Sequence, residues 1–195
     1  MDKISFLQKN IFFRSAVYKA AKKRGDDVVG RIECYLNKDD NIVDVGSGTC
    51  NICEILSKKG YNVAPLDVQN LSFVNDIKPI LYDGTRIPFG DSSFDASLII
   101  TVLHHTPYPE KIIEEAKRVS KRIIIIEDIY TSEAHKHLTY FLDSLFNLEF
   151  AGHAHSNKTD SQWKTVFKEM GLKLIDAKYN HSSLILKHAT YCLEK

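Results

Sequence analysis

The amino-acid sequence predicts an α/β fold: a seven-stranded, mostly parallel sheet flanked by helices, with a C-terminal antiparallel hairpin. Three observations carry that expectation. Short apolar runs alternate with segments of helical periodicity between residues 41 and 128. Four of those five runs end in glycine or in an acid, at the edge where ligands bind in such sheets. Two further β-like runs, residues 172–179 and 183–193, are separated by the length of a tight turn. Strands that alternate with helices pair in parallel through right-handed crossovers, and a closing hairpin adds an antiparallel edge. With 195 residues, 44% hydrophobic and 26% charged, the composition is globular and a single domain over 1–195 is expected.

The elements follow in order. Ile4, Leu7, Ile11, Val17 and Tyr18 recur at helical spacing and stop in the basic cluster Lys22-Lys23-Arg24 before Gly25. The spacing predicts one or two short amphipathic helices there, serving as a helix on the core edge or as a lid. Asp26 or Asp27 is placed to cap a next helix through Val28, Val29, Ile32 and Leu36. Residues 1–38 thus form a helical cover, 40–130 a core, and 131–195 the remaining helices and the hairpin. Within the core, residues 41–45 read as a buried strand and Ile52, Ile55 and Leu56 as a helix stopped by Gly60. Residues 61–66 and 79–82 are the second and third strands. Residues 94–102, almost wholly apolar, are a fourth strand buried on both faces. A helix over 109–120 leads to a fifth strand, 122–126, that ends in Glu127-Asp128. Beyond it, 138–150 is helix-compatible, 151–160 a polar loop, and 161–170 a capped helix ended by Gly171.

Charge and cysteine content narrow the function classes. Lys+Arg is 26 and Asp+Glu is 25, so the chain lacks the basic excess of a nucleic-acid binder, and no nucleic-acid partner is expected. The balance is uneven: residues 1–38 carry nine bases against four acids, and the remainder is net acidic. Four scattered cysteines do not make a disulfide framework, and the N-terminus has no apolar secretory region. No apolar stretch reaches the length of a membrane span, and a reducing, cytoplasmic compartment is expected.

The chemistry is expected at the carboxyl ends of the strands. The first strand ends in Asp44-Val45-Gly46-Ser47-Gly48, the second in Asp67, the third in Asp83-Gly84, the fourth in His104-His105, the fifth in Glu127-Asp128. Glycines at 46 and 48 let backbone amides approach a ligand closely. Asp67, nineteen positions after Gly48, is placed to accept the hydroxyls of a ribose. Together these point to a nucleotide-like ligand.

The same residues resemble a known family. IVDVGSGT at 42–49 is similar to the first motif of class I S-adenosylmethionine-dependent methyltransferases. DGTRIPFGDSSFD at 83–95, VLHHT at 102–106 and EEAKRV at 114–119 resemble the small-molecule branch related to ubiquinone and menaquinone biosynthesis. The resemblance implies a Rossmann-like sheet and S-adenosyl-L-methionine as cofactor. It further implies methyl transfer to a small-molecule acceptor by in-line displacement. In that reading Asp44, Gly46, Ser47 and Gly48 frame the methionine part, and Asp67 with Val68 the ribose. Asp83 and Gly84 lie beside the adenine, and Thr101 to His104 form the wall behind the sulfonium. His104, His153 or Glu127 would accept a proton. Cys50 stands where the family usually has a third glycine, and Ser120-Lys121-Arg122 lacks the usual proline and paired glycines.

Other features have plainer explanations. Cys50-Asn51-Ile52-Cys53 is formally a Cys-x-x-Cys, but helix packing explains it better than a dithiol centre. The pairs His135/His137 and His153/His155 are read as surface or substrate-side residues, and no metal is expected. Tyr18 and Tyr108 are lesser candidates. Two rival functions remain: an NAD-dependent oxidoreductase, whose fingerprint needs glycine where Asn51 stands, and a non-catalytic cofactor-binding or scaffolding protein.

Overall fold

In a computed structural model, the described residues are 8, 10–130, 156–181 and 187–195. The sheet order is β3-β2-β1-β4-β5-β7-β6, built from β1 (Asn41–Val45), β2 (Asn62–Asp67), β3 (Ile80–Leu81), β4 (Phe94–Ile100), β5 (Ser120–Ile129), β6 (Lys173–His181) and β7 (Lys187–Glu194). The first five strands pair in parallel, whereas β7 runs antiparallel to both β5 and β6. The described helices are α1 (Ile11–Ile32), α2 (Asn51–Lys58), α3 (Pro109–Val119) and α4 (Asp160–Glu169).

Four consecutive isoleucines of β5, Ile123 to Ile126, explain the layering. Ile123 and Ile125 face a core completed by Ile113, Trp163 and Phe167 of α3 and α4. Ile124 and Ile126 face a second core completed by Val28, Val29, Ile32 and Leu56 of α1 and α2. A strand covered on both faces needs no polar alternation, which is why the run is continuous.

Local chemistry sets the helix ends. Asn10 caps α1, its side-chain oxygen accepting from the amides of Phe12 and Phe13. A full capping box opens α4, where Thr159 and Gln162 bond each other's backbone amides. Pro109 begins α3 at a position that needs no donor.

Three expectations are corrected. Gly25 does not end a helix: α1 runs unbroken for 22 residues, and Asp26 and Asp27 are interior positions. Lys22–Asp26 and Arg31–Asp27 ion pairs one turn apart carry it through. Gly25 is instead a crossing contact, since a Cβ there would lie 2.8 Å from Ile55 Cδ1 of α2. Second, β5 does not stop before Glu127. The antiparallel ladder with β7 extends it, pairing Glu127 with Ala189 and Asp128 with His188. Third, Asn180 and His181 are not a turn; they are strand residues paired with His188 and Lys187. The helix expected over 138–150 lies outside the described residues. No described helix is long and apolar enough to cross a membrane.

Candidate active site at the carboxyl edge of the sheet

The loop after β1 is drawn onto β2. Gly46 and Ser47 both donate their amides to the Leu66 carbonyl, at 2.8 and 3.0 Å. Gly46 has φ +76° and Gly48 φ +49°, left-handed conformations that suit glycine. At Gly46 the requirement is also steric, because a Cβ would fall 2.5 Å from Val102 Cγ2. Beside Gly48 the nearest atom to such a Cβ is 4.0 Å away, so space is open there.

Asp67 organises two loops at once. Its Oδ2 accepts from the Gly48 amide at 2.8 Å, and its Oδ1 from the amides of Val68 (2.7 Å) and Gln69 (3.3 Å). Half-turned to solvent, Val68 packs over Gly84, with 3.2 Å between its Cγ1 and the position of a Gly84 Cβ. Val68 and Gly84 thus make an apolar shelf beside a carboxylate. Asp83 closes its own turn, accepting from the amides of Thr85 and Arg86, and hydrogen bonding from Thr85 holds its pKa down to about 2.

Asp44 is buried beneath these loops. Burial pushes its pKa up to about 6; the Cys53 thiol, donating at 3.1 Å, opposes that shift, and the neighbouring Asp67 charge adds to it. Cys53 itself is pushed well up, first by burial and then by Asp44, and the Cys50 thiol is also raised by burial. Thiols held protonated are poor nucleophiles. Cys50 takes the left-handed φ of 59° at the start of α2, and all four cysteines are free.

The other wall is the loop after β4. Thr101 has φ +54°, a strained conformation for a β-branched residue. Its amide donates to the Ile126 carbonyl and its hydroxyl to the Ile100 carbonyl, and Arg24 of α1 donates to Oγ1 at 2.6 Å. Glu127, wholly enclosed, holds the next three residues. Its Oε1 accepts from Val102 N (2.9 Å) and Leu103 N (2.7 Å), and its Oε2 lies 2.6 Å from His104 Nδ1. His104 is 2% exposed and its ring rests against that of His105. Ser156 bonds the carbonyls of Leu103 and His104, so the segment leading into α4 meets this wall. A cavity of about 530 Å³ lies there, lined by Tyr130, Ser156, Asn157, Lys158, Gln162 and Thr165 among others.

Asp44, Gly46, Ser47, Gly48 and Asp67 therefore share one edge with Val68, Gly84, Thr101 and His104. Asp83 sits at the periphery in its own turn, and Glu127 lies within the sheet behind His104. His153, like His135, His137 and His155, lies outside the described residues. Tyr18 bonds the Glu54 carboxylate between α1 and α2, away from the loops, and Tyr108 is exposed. Among the described residues no three His, Cys, Asp or Glu side chains converge as a metal site. Arg24 and Ser156 escaped the sequence reading, since only tertiary contact brings them to the edge.

Residues 43–123 match the methyltransferase domain family. The chain is 34% identical over 96 residues to a demethylmenaquinone methyltransferase of Paenarthrobacter aurescens, covering 44% of this chain and 38% of that protein. It spans well under half the length of the first curated relatives it matches, 39% and 38%. Its fold is similar to an S-adenosylmethionine-dependent methyltransferase of Methanosarcina mazei, with TM-score 0.66 and 19% identity, covering 84% of this chain and 96% of that one. It is also similar to a magnesium protoporphyrin IX methyltransferase of Synechocystis with bound S-adenosylhomocysteine, with TM-score 0.63 and 13% identity, covering 95% and 88%. With its glycine loop, its acid at the end of β2 and this sheet order, the chain has the fold of S-adenosylmethionine-dependent methyltransferases and carries a methyltransferase-domain match over residues 43–123.

Proposed function

We propose that this chain transfers a methyl group from S-adenosyl-L-methionine to a small-molecule acceptor by in-line displacement. One observation carries the reading. Asp44 and Asp67 are enclosed at the carboxyl edge with no cationic side chain at ion-pair distance among the described residues, beside a glycine loop with open space. A cationic ligand that approaches the backbone closely fits such a place. When bound, the cofactor supplies an electrophilic methyl group on a sulfonium.

The chain's residues then have distinct tasks. Asp67, its loop amides already engaged, accepts a ribose hydroxyl with remaining lone pairs. Asp44 with Gly46, Ser47 and Gly48 encloses the methionine portion. Val68 and Gly84 offer the apolar shelf to adenine, with Asp83 nearby. Thr101 and His104 stand behind the methyl. Positioning supplies most of the effect, since orientation alone is worth about 7–11 kcal/mol.

A hydroxyl acceptor must also lose a proton. Glu127 holds His104 through Nδ1, so a proton taken up by this imidazole would go to Nε2. His104 is thus the proton acceptor and Glu127 the positioning residue, whose own carboxylate is engaged on both oxygens. Four free cysteines suit a cytoplasmic setting.

Calorimetry with S-adenosylhomocysteine and with NAD tests the reading. Binding of the first with no binding of the second is expected; binding of NAD alone overturns it.

A further inference from the structure

We infer that the exposed first half of α1 is a docking surface for a bilayer containing anionic phospholipid. The helix spends only its last third on the core: its buried residues begin at Gly25. Ahead of that, Ile11 is 86% exposed, Phe12 77% and Phe13 44%. Large apolar side chains clustered at a helix tip cost solvation unless something covers them.

The charge along this stretch of the chain is of one sign. Residues 8–25 hold Lys9, Arg14, Lys19, Lys22, Lys23 and Arg24 and no Asp or Glu. Phe12, Ala16, Lys19 and Lys23 recur at spacings of three and four, so one exposed stripe runs from the aromatic tip into lysines. Lys19 and Lys23 have no ion-pair partner among the described residues. A basic helix with an apolar end lies at a bilayer interface by burying the rings among acyl chains while the lysine stems reach the phosphates. The chain's net charge of only +1 favours this over a nucleic-acid backbone, which a broadly basic protein would track.

The tip is also held in a useful place. Gln8 donates to the carbonyls of Asn70 and Ser72, each at 3.1 Å, and Arg14 to that of Phe73 at 3.4 Å. Those residues follow directly on Asp67 and Val68. A docked α1 therefore sets the cofactor loops beside the membrane surface.

Co-sedimentation of the full chain with phosphatidylcholine vesicles, with and without phosphatidylglycerol, at low and high salt, tests this. Binding that needs phosphatidylglycerol and falls with salt is expected. Ile11→Ser with Phe12→Ser, and separately Lys19→Gln with Lys23→Gln, should each weaken it about tenfold or more. Both variants should keep the wild-type affinity for S-adenosylhomocysteine, because neither touches the cofactor loops. The inference is overturned if vesicles do not bind, if binding ignores phosphatidylglycerol, or if both variants bind as wild type does. It is equally overturned if the helix instead retains polyuridine RNA, or if the apolar variant abolishes only self-association.

Discussion

Removing the Glu127 carboxylate is the sharpest test of how the loop after β4 is held. Glu127 is 0% exposed and His104 2%, so water cannot replace what is lost. Three donors depend on that group: the amides of Val102 and Leu103 and the imidazole Nδ1. Glu127→Ala strands all three, and breaking a buried charged cluster from one side costs about 3–5 kcal/mol. For a chain of this size that is a fall in melting temperature of about 6–20 °C. Glu127→Gln is milder. Its side-chain oxygen still accepts from both amides, and only the contact with Nδ1 turns from acceptor to donor, for a loss of about 1–2 kcal/mol. Urea denaturation of wild type and both variants measures the difference, with the slope checked for constancy. A loss under about 1 kcal/mol for Glu127→Ala, or equal losses for the two variants, refutes the reasoning.

Three further outcomes follow from the same edge. Asp67→Ala should weaken S-adenosylhomocysteine binding about 10- to 100-fold by calorimetry, and an unchanged affinity removes the ribose assignment. Gly46→Ala forces a left-handed alanine against Val102 and should cost about 2–4 kcal/mol in chemical denaturation. Adding Val102→Ala should make that loss less than additive, since the clashing methyls are gone. Asp44, raised to about 6, binds its proton more readily folded than unfolded. Its contribution is therefore fully present below about pH 4 and is lost as pH rises through about 6, by roughly 3 kcal/mol. Asp44→Asn should accordingly gain on wild type between pH 4 and pH 8 in the ligand-free protein, and parallel pH profiles contradict it.

Much of this architecture is legible in the chain because burial on both faces leaves unbroken apolar runs. Ile123 to Ile126 of β5 is such a run and Leu98 to Ile100 of β4 a shorter one, and Gly46 and Gly48 mark where the first strand ends. What could not be read depended on partners distant in sequence. Gly25 carries the same local signal whether it stops a helix or lets one cross another; only Ile55, thirty positions on, decides. Glu127 looks like the end of a strand until β7 pairs beyond it, and its enclosure converts it from a reaching acid into an anchor. Arg24 reaches Thr101 across 77 positions, a contact no local pattern encodes.

The position of β7 has a consequence for how the chain is made. β7 follows β6 in sequence, yet lies between β5 and β6. Within the sheet β6 pairs with β7 alone, so it has no place until β7 arrives. During synthesis the β5 edge, with Ile123 to Ile126 along it, stays unpaired while roughly sixty further residues emerge, about 3–12 s at ordinary elongation rates. For that interval the nascent chain presents an open apolar edge, the feature that recruits stray strands and chaperones alike. The hairpin must then enter as a pair, and the sheet closes late.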